Sequence, residues 1–150
     1  MNLEKEIIAL KNRNTKYIHE REIYIVDLDP TKGIEMNKMR PCLVVRVYNQ
    51  KHLIILPLSS QHKKGKEIYK LKKLSFLEKE SFVCCHQIRI IDRKRCKKLI
   101  GKIPDPIYLE IKKILGEFLR IPPQEPNGHK SKEKSLLDQK NDLITYSKKE

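Results

Sequence analysis

The chain has 150 residues, with 33 Lys and Arg against 19 Asp and Glu, a formal net charge of +14. That length suits one compact domain with residues to spare, and that charge favours a polyanionic partner, a nucleic acid or an acidic protein ahead of an anionic membrane. No apolar run approaches the roughly 20 residues that span a bilayer, the apolar core of MNLEKEIIALKNRN is too short for a secretory signal, and the chain reads as cytoplasmic.

Leu3, Ile7, Ile8 and Leu10 follow helical spacing and predict a short amphipathic helix over residues 2–12. Arg21–Asp29 (REIYIVDLD) reads as a first strand. A polar, Gly-containing loop follows and delivers Arg40 to the mouth of a second strand, Pro41–Tyr48 (PCLVVRVY). Lys51–Ser59 (KHLIILPLS) completes a hairpin around Asn49-Gln50, because both flanks are rich in branched apolar residues. Two readings of Arg40 stay open. A planar, permanently charged fork fits phosphate oxygens; a surface salt bridge to Glu35 or Asp29 would be ordinary.

Lys66–Leu74 is expected to be a more exposed strand and Ser81–Asp92 (SFVCCHQIRIID) a continuous one. An extended Ser81–Asp92 puts Phe82, Cys84, His86, Ile88 and Ile90 on one face and Gln87 and Arg89 on the other, facing either a ligand or water. Leu99–Ile103 is a further short strand. A helix then starts at Pro104 and Asp105 with Pro106 in its first turn, carries an apolar stripe of Ile107, Ile111, Ile114, Leu115 and Phe118, and ends near Arg120. Many short strands with one C-terminal helix imply a small, strongly bent sheet or partly open barrel. The expected organisation is an N-terminal helical extension over 1–20, the folded body over 21–120, and a charged tail over 121–150 that is disordered or folds only on a partner.

Cys42, Cys84, Cys85 and Cys96 show no CxxC spacing, so no zinc site is expected. Three of them lie within apolar runs and read as buried free thiols, in keeping with a reducing compartment. Positive charge concentrates in His62–Lys73 and Arg89–Lys102. Such runs are often only solvated faces, but their number here favours phosphate neutralisation. Tryptophan is absent, which argues against a broad base-stacking platform. Tyr24, Tyr48 and Phe82 are either stacking residues or core.

EIYIVDLDPTKGIE, MRPCLVV, ILPLSSQ and HQIRIID, followed by a basic segment, IGKI and the closing helix, resemble the MazF/PemK toxin family from about Glu22 to Leu119. The resemblance implies a mainly β fold with peripheral helices, the small SH3-like barrel of MazF and the gyrase poison CcdB, as a homodimer. It implies metal-independent, cofactor-free cleavage of single-stranded mRNA in the cytoplasm, restrained by an acidic antitoxin that covers the basic surface.

The family's essential arginine falls on Arg40, its essential threonine on Ser59 and its supporting glutamate on Glu35. On this reading Arg40 neutralises the phosphorane formed when the adjacent 2′-hydroxyl attacks. It is also a candidate proton donor to the leaving oxygen, a role its high intrinsic pKa opposes. Ser59 hydrogen-bonds the same phosphate, and Glu35 orients Arg40 or acts as base. Lys32, Asn37, Gln61, Lys63, Lys64, Gln87 and Arg89 are the candidate RNA contacts, the amides because they can read the edges of splayed bases. Three departures stand out: serine replaces threonine at 59, Arg21 replaces the small glycine before the first strand, and His86 replaces an acid. His86 is read as structural. Two alternatives use the same barrel without nuclease chemistry, a nucleic-acid-binding module and a protein-directed toxin like CcdB.

Overall fold

In a computed structural model of the protein, residues 17–72 and 74–123 are described. The helix expected over 2–12 and nearly all of the 121–150 tail lie outside them. Among the described residues, seven strands run in the order β1 (Glu22–Asp27), β2 (Met39–Tyr48), β3 (His52–Ser59), β4 (Ile68–Leu71), β5 (Ser81–Cys84), β6 (Arg89–Asp92) and β7 (Cys96–Lys102), followed by one helix, α1 (Asp105–Phe118). All pairings are antiparallel, and the sheet order is β4-β5-β3-β2-β1-β7, with β6 also on β3. The sheet is not closed into a barrel, as the expected bent sheet or partly open barrel allows, and the expected mainly β class with a peripheral helix stands.

Period-two alternation divides the apolar residues between two cores. Ile23, Leu43, Leu56, Leu58, Val83, Ile103, Tyr108 and Ile111 pack under α1. Tyr24, Val26, Cys42, Val44, Leu53, Ile55, Ile91 and Leu99 fill the opposite face. The β2–β3 hairpin turns at Asn49 (φ 52°) and Gln50 (φ 55°), two consecutive left-handed residues, the pattern whose twist matches the flanking strands. Phe76 lies on Gly101, where an added Cβ would come within 2.4 Å of its ring; glycine lets the 74–80 segment seat on β7.

Several expectations change. Ser81–Asp92 is not one strand: a 3₁₀ turn at Cys85–Gln87 separates β5 from β6. The cause is pairing geometry. From Leu58↔Val83 to Ile55↔Arg89, three steps along β3 face six along the partner chain, and the turn takes up the excess. The expected alternation is lost with it, so Cys84 and Cys85 are both buried, His86 is exposed rather than packed, and Ile90 is 66% exposed. The Lys66–Leu74 strand shrinks to Ile68–Leu71. Phe118 is 44% exposed, and Tyr108, outside the predicted stripe, is buried instead, its hydroxyl donating to the Val45 carbonyl at 2.9 Å.

Tyr24 and Phe82 are core residues while Tyr48 is exposed. Cys42, Cys84, Cys85 and Cys96 are free thiols, Cys96 half-buried and the rest buried. Arg21 takes φ 73°, the left-handed backbone that glycine adopts without strain. Its side chain compensates, with Nε on the Ile103 carbonyl at 3.0 Å and Nη1 on the Asp105 carboxylate at 2.9 Å.

Candidate active site

β2 enters the sheet where β3 leaves it. Carried two residues beyond the Cys42↔Pro57 pair, the antiparallel register brings Arg40 opposite Ser59. Arg40 Nη1 donates to the carbonyl of Leu58, the residue before Ser59, at 3.4 Å, and Arg40 Nε donates to the Asn37 carbonyl at 2.8 Å. The guanidinium is thus suspended between the β1–β2 loop and the end of β3. Of its five N–H donors, those two bonds use two, and Arg40 has no ion pair among the described residues. A salt bridge to Glu35 or Asp29, the ordinary reading of this arginine, is not formed.

Ser59 is 6% exposed. Its Oγ accepts from the Gln61 amide at 3.2 Å, which leaves the hydroxyl proton available to donate. Phe82 pairs with Ser59 across β5 and meets the His62 ring edge-on at 5.2 Å, so the floor beneath the serine is packed. Burial pushes the Cys84 thiol up, while Lys63 and Arg40 draw it down. Burial likewise pushes Cys42, two residues from Arg40, up to about 12. Neither thiol is poised as a nucleophile at neutral pH.

Glu35 lies on the exposed β1–β2 loop, where its amide closes a turn onto the Lys32 carbonyl at 3.1 Å and Gly33 takes φ 54°. Its carboxylate has no partner among the described residues, so the structure does not pair it with Arg40. The other acid of the loop, Asp29, is engaged: Oδ1 accepts from the Lys38 amide at 3.1 Å and from Thr31 at 3.5 Å. Lys32, Asn37, Gln61, Lys63 and Lys64 are exposed around the site.

Gln87 and Arg89 do not present themselves as an outward pair. Gln87 Oε1 accepts from the Met36 amide at 3.1 Å, its Nε2 donates to the Ile34 carbonyl at 3.2 Å, and Arg89 Nη1 donates to the Leu28 carbonyl at 3.1 Å. Arg95, absent from the sequence-based candidates, joins them with Nη1 on the carbonyls of Asp27 at 3.1 Å and Asp29 at 2.6 Å. Its position in a dense basic run concealed it, since nothing in the run distinguishes a cation that folds inward. No three His, Cys, Asp or Glu side chains cluster as metal ligands among the described residues, and no described helix is long and apolar enough to cross a membrane.

A family model described as PemK-like, MazF-like toxin of type II toxin–antitoxin system matches residues 19–119. The chain belongs to this family. Its fold is shared with MazF of Deinococcus radiodurans, at 22% identity over 70% of this chain and 99% of that one, TM-score 0.62. It is shared too with the Mycobacterium tuberculosis toxin MazF-mt6, at 17% identity over 68% and 99%, TM-score 0.58. A mycobacterial endoribonuclease in complex with its cognate antitoxin matches at 13% identity over 72% and 100%, TM-score 0.60. At these identities the likeness is one of fold.

Within this PemK/MazF-like fold, a cleft of about 530 Å³ opens beside Pro41 and Ser60, the immediate neighbours of Arg40 and Ser59. Ile25, Phe76, Leu77 and Ile100 give it an apolar floor, and Lys79 and Lys98 line it as well. Neither Arg40 nor Ser59 lines this cleft, because successive strand residues face opposite sides of the sheet.

Proposed function

We propose that this toxin-family chain is an endoribonuclease that cuts single-stranded mRNA at Arg40 and Ser59, without a metal ion. The observation that carries the reading is the state of Arg40. It is held in place by two backbone carbonyls, has no ion pair among the described residues, retains spare N–H donors, and lies across from a serine whose hydroxyl proton is available. Arg89 and Arg95 bond carbonyls in the same way, so what sets Arg40 apart is the serine hydroxyl across from it. The fold relative described as an endoribonuclease in complex with its antitoxin supports the reading.

The chemistry follows from the donors. The 2′-hydroxyl adjacent to the scissile phosphate attacks phosphorus in line, the O2′–P bond forms, and the bond to the 5′ oxygen breaks. Negative charge builds on the non-bridging oxygens, where the preorganised guanidinium and the Ser59 hydroxyl hydrogen-bond to it. Glu35, the acid of this loop without a partner among the described residues, is our candidate for the base that takes the 2′-hydroxyl proton. The leaving 5′ oxygen departs as a hydroxyl, its proton supplied by water or by Arg40. The products are a 2′,3′-cyclic phosphate, or its hydrolysed form, and a 5′-hydroxyl end. Lys32, Lys63 and Lys64 hold flanking phosphates, an acidic antitoxin covers the same basic surface, and the working unit is a homodimer.

Purified protein is expected to cut an unstructured RNA in EDTA and to leave those ends, and Arg40→Ala is expected to lose about 10²- to 10³-fold or more of the rate. Full activity in Arg40→Ala, or a strict metal requirement, overturns the mechanism. Tight RNA binding without cleavage returns the reading to a non-catalytic module.

A further inference from the structure

We infer that Gln87 is a positioning residue that clamps the β1–β2 loop in the arrangement that holds Arg40, rather than a reader of RNA bases. The inference rests on the reading of Arg40 given above, and it begins from how Gln87 spends its amide. Oxygen and nitrogen are bonded to Met36 N–H and Ile34 C=O, one acceptor and one donor matched to residues two apart on the same backbone. This is the pairing a neighbouring strand would supply, delivered by one side chain. The opposite amide orientation would set oxygen against carbonyl and N–H against N–H, so the two contacts fix the amide one way round.

The platform is rigid. Gln87 closes the 3₁₀ turn at Cys85–Gln87, whose first residue is buried and donates its amide to the Glu67 carbonyl at 3.1 Å. Arg89 and Arg95 hold only the root of the loop, at Leu28, Asp27 and Asp29. The Gln87 bonds fall further along, at residues 34 and 36. The next residue is Asn37, whose carbonyl takes the Arg40 Nε–H at 2.8 Å. A continuous path of hydrogen bonds and one peptide unit thus leads from a core-anchored turn to the guanidinium.

The loop needs such a clamp. Ile34 at its tip is 93% exposed, so burial does little to hold this end down. The break in the Ser81–Asp92 segment acquires a purpose too. A continuous strand would set Gln87 and Arg89 on one face at regular spacing, whereas the turn lets Gln87 reach the tip while Arg89 takes the root.

Two measurements test the clamp. In the free protein, the Arg40 Nε–H signal, identified by its loss in Arg40→Lys, is followed by ¹⁵N NMR. Gln87→Ala is expected to speed its hydrogen exchange by about tenfold, because local opening then requires two fewer bonds. Gln87→Glu keeps the acceptor for Met36 but turns an oxygen toward the Ile34 carbonyl, so an intermediate rate is expected. It also serves as the test variant should Gln87→Ala fail to fold. In RNA cleavage, kcat is expected to fall about 10- to 100-fold from misplacement of Arg40, with KM and the cleaved sequence nearly unchanged.

Unaltered Arg40 exchange in Gln87→Ala overturns the proposal. So does a changed cleavage sequence or raised KM at constant kcat, which would make Gln87 a base contact. Wild-type protein that cuts no RNA, with exchange still accelerated in Gln87→Ala, sinks the ribonuclease reading and upholds the clamp.

Discussion

The β1–β2 loop is bonded at its root by Arg89 and Arg95 and near its tip by Gln87. Across the site, the exposed Ser60–Lys66 stretch has its backbone bonds at its two ends, from the Gln61 amide to Ser59 Oγ and from the Ile68 amide to the Gly65 carbonyl. One border of the site consumes its polar side chains to hold a shape; the other leaves Lys63 and Lys64 extended into solvent. Residues that look equivalent in a basic sequence therefore do different work. A guanidinium has several donors in a fixed fork and can grip carbonyls, whereas an ammonium on a flexible stem suits loose, long-range attraction to phosphate.

Substitutions on each side break or sharpen that contrast. Arg40 stands between the borders, and its replacement by alanine carries the largest effect, the loss of cleavage described above, together with a stability cost of about 1–3 kcal/mol from its two carbonyl bonds. Next are the root arginines. Arg95→Ala removes two bonds from a charged donor to loop carbonyls and should cost about 1–3 kcal/mol, read as a lower urea midpoint at constant slope. An unchanged midpoint would mean that the loop root holds without it.

Lys63→Ala combined with Lys64→Ala should leave the midpoint alone, raise KM for RNA, and reduce the salt dependence of binding by about 1.4 in log–log slope, roughly 0.7 for each single-strand phosphate contact. A fall in kcat with constant KM would assign these lysines to the chemistry instead. Smallest is Arg21, at the far edge. Arg21→Gly relieves about 1 kcal/mol of left-handed strain and forfeits a carbonyl bond and an exposed ion pair of similar worth, so the net change should stay within about 1 kcal/mol. Arg21→Ala keeps the strain, loses the bonds and should be destabilising by about 1–2 kcal/mol, both read by denaturant unfolding.

The strands around the site were legible because their signals are local. Branched apolar runs flanking Asn49-Gln50 announce a tight hairpin, and Pro106 at the start of an amphipathic run announces a helix. Arg40 could be singled out because it lies where a polar loop meets an apolar strand, whereas Ser59 was indicated only by the family resemblance. Arg21 stands where the family resemblance implies a small glycine before β1, and the structure supplies the reason this is tolerated: the arginine secures its own strained backbone through Ile103 and Asp105.

Sequence by itself determined which segments are extended, which helix closes the body, and that the body is strongly basic, because alternation, turn chemistry and charge count reside in neighbouring residues. Only the tertiary structure decided that Ser81–Asp92 breaks, that the sheet stays open, and which cations are spent on carbonyls. Those outcomes depend on register along β3 and on backbone groups brought in from up to 82 residues away, as Arg21 reaches Ile103. A side chain's own neighbours in the chain carry no record of which distant carbonyl will need its proton.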